Sequence, residues 1–134
     1  MAKKTYRGSC HCGRVRFEAD LDLGAPTFRC NCTYCTKIRN WFASAAPGDF
    51  RLLAGEGDLV GYQFGSRRLD HRFCRHCGVR PFGRGDTEET GPFVAVALAC
   101  LDDAGPRELA ASPLVYFNGR EDDFESPPAE TRHL

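Results

Sequence analysis

The stretch Cys74-Arg75-His76-Cys77-Gly78, at residues 74–78, has the form of a zinc knuckle. Two thiols separated by two residues can bind one metal ion together, and the glycine permits the tight turn that follows them. Near the start of the chain, Cys10-His11-Cys12-Gly13 offers a second pair of thiols, again followed by glycine. A structural zinc site normally takes four protein ligands in a tetrahedron, so the two pairs together complete one site. The spacing predicts a structural zinc ion bound by Cys10, Cys12, Cys74 and Cys77.

Such a site ties the N-terminal part of the chain to its middle, which is useful in a small domain. The alternative is four reduced thiols in the core, because cysteine is often simply a small buried residue. We expect His11 and His76, inside the two pairs, to point outward and not to bind metal. The length of 134 residues predicts one domain over residues 1–120, followed by a loosely ordered tail over 121–134.

Composition narrows the function classes. The chain has 18 basic and 18 acidic residues, so it lacks the positive field that binding to nucleic acid usually requires. The longest apolar stretch, Phe93 to Leu98, is too short to span a bilayer, and the first residues contain no apolar signal core. We therefore expect a cytoplasmic protein with no membrane association. Stable disulfides are rare in the reducing cytoplasm, so the eight cysteines indicate metal binding or catalysis.

Short runs with period-2 alternation or strand-forming residues dominate the rest of the chain. The alternation in Arg14 to Ala19 predicts a first strand. Further predicted strands are Thr27 to Asn31, Trp41 to Ala45, Phe50 to Leu53, Val60 to Phe64, Arg68 to Phe73, Val79 to Gly83 and Phe93 to Leu98. Residues 87–92 are predicted to form an exposed loop, and Thr33 to Ile38 a single helical turn. The sequence predicts a mainly β, mostly antiparallel domain with little helix.

A second cysteine cluster, Cys30-Asn31-Cys32-Thr33-Tyr34-Cys35, supplies three closely spaced thiols and no obvious fourth. Catalytic zinc ions typically have three protein ligands, with water or substrate in the remaining position. A thiol or water bound there loses its proton at neutral pH and becomes a nucleophile. We predict that Cys30, Cys32 and Cys35 bind a second zinc ion and contribute to catalysis through it. The alternative is that Cys100 or a histidine closes this site as a second structural one.

The remaining candidates are single residues. Cys100 ends a run, residues 94–99, that has the composition of a buried strand, and we predict a packed, inert thiol. His71 lies in a predicted strand, where we expect it to be half exposed, and His133 lies in the tail. We expect neither histidine to bind metal.

Three segments together resemble the glutathione-dependent formaldehyde-activating enzyme and centromere protein V family. They are Gly8 to Phe17, Cys30 to Cys35, and Phe73 to Val79 with Phe82 to Gly85 after it; the likeness extends to about Gly119. The resemblance implies a β-tent fold of small antiparallel sheets around two zinc ions, with the two ligand sets given above. It also implies a carbon–sulfur lyase that adds glutathione to formaldehyde, giving S-hydroxymethylglutathione.

On this reading a small-molecule thiol such as glutathione is the expected partner. Its carboxylates could be received by basic side chains, for which the candidates are Arg29, Lys37, Arg39, Arg67 and Arg68. One alternative is a noncatalytic zinc module for a protein or nucleic-acid partner, as the centromere branch of the family suggests. Another is a redox sensor that uses the Cys30 to Cys35 cluster.

Overall fold

Alternation of inward and outward side chains builds the strands of the computed structural model, which describes residues 3–134. In the strand over residues 16–21, Phe17, Ala19 and Leu21 are buried, while the residues between them face outward. The prediction of a mainly β fold with little helix is confirmed.

The described residues form ten strands, two α-helices and four short 3-10 segments. The strands are β1 (Lys4–Ser9), β2 (Arg16–Leu21), β3 (Thr27–Cys30), β4 (Trp41–Ala45), β5 (Phe50–Ala54), β6 (Leu59–Tyr62), β7 (Leu69–Cys74), β8 (Phe82–Thr87), β9 (Gly91–Ala97) and β10 (Leu114–Phe117). The helices are α1 (Thr33–Ile38) and α2 (Pro106–Ala111), and the 3-10 segments are Pro47–Asp49, Glu56–Asp58, Leu98–Cys100 and Gly119–Glu121.

The strands form two sheets. The smaller sheet has three antiparallel strands in the order β1-β2-β5, and the larger has seven in the order β10-β3-β4-β9-β8-β7-β6. All pairs in the larger sheet are antiparallel except β10 with β3, which runs parallel with Leu114 beside Thr27. Aromatic rings pack between the sheets. The ring centroid of Phe50, in the smaller sheet, lies 4.7 Å from that of Phe82 in the larger sheet and 5.3 Å from that of Phe17 in its own sheet.

Several predicted elements differ in detail from the observed ones. Helix α1 has the predicted bounds, but the strand predicted over residues 79–83 begins only at Phe82. Val79 instead belongs to the turn after the cysteine pair, where its carbonyl oxygen accepts a hydrogen bond from Cys74 N at 2.9 Å. The predicted loop over residues 87–92 is shorter than expected, because Thr87 and Gly91 already pair across β8 and β9.

Residues 121–134 contain little regular structure, yet they contact the rest of the chain. Asn118 and Asp123 form a β-bridge, and the Leu134 side chain is buried. The carbonyl oxygen of Leu134 accepts a hydrogen bond from Arg39 Nη2 at 3.1 Å. Within residues 3–134, no helix is long and apolar enough to cross a membrane.

Candidate metal centres

The first cysteine cluster contains Cys10, Cys12, Cys74 and Cys77, whose four sulfur atoms all lie within 4.8 Å of one another. Cys12 Sγ is 3.6 Å from Cys10 Sγ and 3.7 Å from Cys74 Sγ. A tetrahedral zinc site with sulfur ligands at about 2.3 Å has sulfur–sulfur edges of about 3.8 Å. The first cluster could therefore hold a metal ion of this kind.

Two similar turns position these sulfur atoms. Cys10 N donates to Val15 O at 3.1 Å, just as Cys74 N donates to Val79 O. Gly13 and Gly78 have φ angles of 81° and 78°, which residues with a side chain rarely adopt. Backbone N–H groups also donate to the sulfurs, from Val15 to Cys10 Sγ and from His76 to Cys74 Sγ, both at 3.4 Å. Such donors favour the thiolate form that binds metal.

The thiols of this cluster differ in acidity. Burial raises the pKa of Cys10 to about 11. Burial is the largest single effect on Cys77 and acts in the same direction, but hydrogen bonds from the backbone of Val79 and Cys12 and with the thiols of Cys74 and Cys10 together lower the pKa of Cys77 to about 6. Binding of a metal ion at neutral pH therefore releases a proton at least from Cys10.

The second cluster contains Cys30, Cys32 and Cys35, whose sulfur atoms also lie within 4.8 Å of one another. Cys30 ends β3, Cys32 caps the N-terminus of α1, and Cys35 lies inside that helix. Backbone hydrogen bonds hold this arrangement, with Cys32 N donating to Cys30 Sγ at 3.4 Å and Cys35 N to Cys32 Sγ at 3.3 Å. Three convergent thiols in this geometry could hold a metal ion.

No fourth side-chain donor completes the second cluster in the part of the chain that the structure describes, where no further Cys, His, Asp or Glu ligand atom joins the group. Cys100 is buried, as predicted, and its Sγ instead donates to Arg80 O at 3.9 Å. Burial raises the pKa of Cys100 to about 11. The geometry does not favour closure of the site by Cys100 or by a histidine.

One thiol of the second cluster is strongly acidified by its neighbours. Hydrogen bonds from the Cys30 and Cys35 thiols lower the pKa of Cys32 to about 2. Hydrogen bonds with the Cys30 thiol, which has the larger effect, and with Cys32 raise the pKa of Cys35. These contacts therefore favour the thiolate form at Cys32 and the thiol form at Cys35.

The turn over residues 117–121 covers Cys30 from outside the motif. A Cβ atom built on Gly119 would lie 2.5 Å from Cys30 Sγ, so only glycine fits without movement. Asn31 holds the turn through both ends of its amide: Nδ2 donates to Asn118 Oδ1 at 2.8 Å, and Oδ1 accepts from Arg120 N at 3.0 Å. The cysteine spacing gives no indication of this contact, because the turn lies far along the chain.

An aromatic cluster lies beside α1. The ring centroid of Tyr34 lies 4.0 Å from that of His71 and 5.6 Å from that of Tyr62. The centroid of Phe64 lies 5.9 Å from that of His71. The prediction that His71 is half exposed is wrong, since these rings cover it and leave 2% of its surface exposed. Burial, followed by the charge of Arg80, lowers the pKa of His71 to about 4. Among the hydrogen bonds of residues 3–134, none involves His71 Nε2.

A cavity of about 420 Å³ also lies beside α1, and its lining includes Tyr34, Asn40, Trp41, Arg80 and Cys100. Neither Asn40 nor Arg80 was a predicted site residue. Both follow cysteines of the two clusters by a few positions, and this proximity in sequence is the only signal that could have indicated them.

The other predicted candidates lie on the surface or have other partners. His11, His76 and His133 are exposed, and His76 Nε2 lies 2.8 Å from Asp58 Oδ1. Arg29 stacks over Trp41 and donates to Arg39 O at 3.3 Å, while Arg39 donates to Leu134 O. Over residues 3–134, no hydrogen bond joins a cysteine sulfur to any of the five basic candidates, which are Arg29, Lys37, Arg39, Arg67 and Arg68.

The chain is similar in sequence and in structure to known proteins. Residues 5–118 match the family model described as "Glutathione-dependent formaldehyde-activating enzyme". A crystal structure of a Rhodobacter sphaeroides protein, a structural-genomics target, is 34% identical in sequence, with a TM-score of 0.69. The match covers 81% of this chain and 99% of that one. The resemblance inferred from the cysteine segments is confirmed over most of the chain.

Proposed function

Because the chain belongs to the glutathione-dependent formaldehyde-activating enzyme family, we propose that it is a zinc-dependent carbon–sulfur lyase that adds a thiol to an aldehyde. Glutathione, or a thiol similar to it, is the proposed thiol substrate and formaldehyde the proposed aldehyde. The observation that carries the proposal is the second cluster, in which Cys30, Cys32 and Cys35 converge without a fourth side-chain donor. We assign the first cluster to a structural zinc ion.

The reaction needs no redox partner. The thiol sulfur forms a bond to the aldehyde carbon, the carbonyl π bond breaks, and the thiol proton ends on the new hydroxyl oxygen. Cys30, Cys32 and Cys35 would hold a zinc ion, which would supply Lewis-acid polarisation and make a bound thiol more acidic. The chemistry of the donor set fits zinc, which thiolates bind well.

The protein's own residues supply binding and exclusion of water. The backbone donors at Cys32 and Cys35 orient two of the sulfurs, and the turn at Gly119 covers Cys30. The cavity beside α1 offers room for an organic thiol next to the helix that holds Cys35. We propose a cytoplasmic location, because cysteine clusters that bind zinc need reduced thiols, which a reducing compartment maintains.

Zinc counting by elemental analysis, on the purified wild type and on cysteine variants, tests the proposal. We expect two ions in the wild type and one in Cys32→Ser, which keeps its fold and loses thiol addition above the spontaneous rate. Glutathione should protect the second ion of the wild type against a chelator. Cys74→Ser, in contrast, should fail to accumulate as folded protein, because the structural ion contributes to folding.

The matched control is Cys100→Ser, which changes a buried thiol outside both clusters and should retain both ions. One ion in the wild type, or full activity in Cys32→Ser, contradicts the proposal. Salt-sensitive binding to nucleic acid without any thiol binding favours a noncatalytic zinc module instead.

A further inference from the structure

Arg80 is a half-buried cation without an anionic partner among the described residues. Its Nε donates to His71 Nδ1 and its Nη1 to Asn40 Oδ1, both at 3.1 Å. Both partners are neutral groups, and across residues 3–134 no carboxylate oxygen lies within 4.0 Å of its guanidinium. Desolvating a cation without a nearby anion is unfavourable. A negative group near Arg80 would therefore be favourable, and the side-chain carboxylates do not supply it.

The contacts of Arg80 lead to the second cluster through Asn40. Asn40 follows Arg39, whose left-handed backbone (φ 52°) ends α1, and its N–H donates to Cys35 O at 3.2 Å. Its side-chain Nδ2 donates to Cys35 Sγ at 3.9 Å, while its Oδ1 accepts from Arg80. The amide dipole therefore points its positive end at the sulfur and its negative end at the guanidinium. Asn40 and Cys35 are both more than 90% buried, so water screens this line of contacts weakly.

Formal charges indicate that the second cluster, with a metal ion bound, is a negative group that could partner Arg80. Three thiolates and one divalent cation together carry one net negative charge, and the second cluster has no fourth protein ligand. We propose that Arg80 is a positioning residue for the second cluster: through Asn40 it balances the charge of the three thiolates and raises their affinity for a divalent metal ion. This inference rests on the proposed occupancy of the second cluster. His71 supports it by binding Arg80 Nε while its ring packs on Tyr34 of α1.

Metal competition measures the effect directly. Purified protein loaded with zinc is titrated with a chromophoric chelator to measure the affinity of each site. In the cobalt form of the protein, the sulfur-to-metal charge-transfer bands report the coordination of each cluster. Arg80→Met, which removes the charge but keeps most of the volume, should weaken the second site by about tenfold or more. The affinity of the first site should stay unchanged, and Arg80→Lys should recover part of the loss.

Asn40→Asp provides an independent test that does not alter side-chain size. It places a carboxylate oxygen where the amide nitrogen faces Cys35 Sγ, so the second site should again weaken by about tenfold or more. This variant also decides the question if Arg80→Met does not fold. Arg107→Met, which removes an exposed arginine from α2, is the matched control and should leave both affinities unchanged.

Two results overturn the inference. One is that the second cluster binds metal in both Arg80→Met and Asn40→Asp with an affinity within about twofold of that in the Arg107→Met control. The other is an equal loss at both clusters, which assigns Arg80 to the support of the fold alone. If the wild type binds only one ion, the proposed function fails together with this inference. If the wild type binds two ions and the substitutions leave the second-site affinity unchanged, only this inference fails.

Discussion

At the scale of single residues, Gly119 is a neighbour of the second cluster at which a substitution has a defined geometric effect. Its backbone lies against Cys30 Sγ, and an added Cβ would approach that sulfur to 2.5 Å. The turn has little freedom to move away, because Asn31 binds both Asn118 and Arg120. The backbone of Gly119 is not in the left-handed region, so any effect of alanine arises from space and not from backbone strain.

Gly119→Ala should therefore displace Cys30 and reduce the zinc content of the second cluster after dialysis against a chelator, by about tenfold in affinity. The first cluster and the far-UV circular dichroism should not change. Gly57→Ala is the matched control, since it also lies in a 3-10 segment but has open space around the added Cβ. Equal zinc retention by the two variants contradicts this expectation.

The sequence allowed the grouping of the cysteines to be predicted but not their surroundings. Cys30, Cys32 and Cys35 lie within six residues, so their proximity follows from local chain geometry. Asn40 and Arg80 are brought together by the pairing of strands that are distant in sequence, which the spacing of cysteines does not specify. His71 was wrongly expected to be half exposed, because alternation within β7 gives no information on the rings of Tyr34 and Phe64, which pack against it from other parts of the chain.

At the scale of elements, Glu108 connects α2 to β1, because its carboxylate contacts the Tyr6 hydroxyl and lies 3.7 Å from the Lys4 ammonium. Tyr6 of β1 is 2% exposed and donates a hydrogen bond to the Glu108 carboxylate of α2. Hydrogen bonds to charged groups contribute about 1.5 to 3 kcal/mol. Tyr6→Phe should therefore lower the free energy of unfolding of the metal-loaded protein by about 2 kcal/mol at pH 8. Tyr62→Phe, at a tyrosine that is 47% exposed, is the matched control and should change it little.

The same contact predicts a pH dependence. Burial, followed by the hydrogen bond to Glu108, raises the pKa of Tyr6 to about 12, above its usual value of 10.0. Between these pH values the unfolded chain binds fewer protons than the folded one, so stability falls as pH rises. The advantage of the wild type over Tyr6→Phe should thus be complete below pH 10 and decline toward pH 12 in urea titrations. A constant difference across this range contradicts the assignment.

The elements that the sequence did not predict have weak patterns for physical reasons. In β1 the two inward positions are Tyr6 and Gly8, and glycine supplies no apolar side chain to the alternation. Helix α2 has six residues and none of them is buried, so it has no apolar stripe. Strand β10 is a continuous apolar run of four residues at a sheet edge, where periodicity cannot distinguish a strand from a loop.

At the scale of the whole molecule, the two clusters differ in what they connect. Cys10 directly follows β1 of the smaller sheet, and Cys74 ends β7 of the larger one, so the first cluster joins the sheets. The second cluster lies within a single segment, residues 30–35. The sequence predicted the link between the start and the middle of the chain, but it could not give the sheet order, which depends on pairing between distant strands.

Stepwise removal of metal should separate the two roles. During titration of the wild type with a chelator, the first equivalent of zinc should leave the second cluster while far-UV circular dichroism stays constant. Loss of the remaining equivalent should coincide with cooperative unfolding, because the sheets then lose their cross-link. Cys32→Ser should show only the later step. If both ions leave in one step together with unfolding, the two clusters do not have separate roles and the expectation is contradicted.

The parallel pairing of β10 with β3 also sets an order of events during biosynthesis. Cys35 leaves the ribosome 84 residues before Gly119, as their positions in the chain show. At a synthesis rate of about 5 to 20 residues per second, this interval lasts on the order of ten seconds. During that time the nascent chain presents Cys30 without the turn that later covers it.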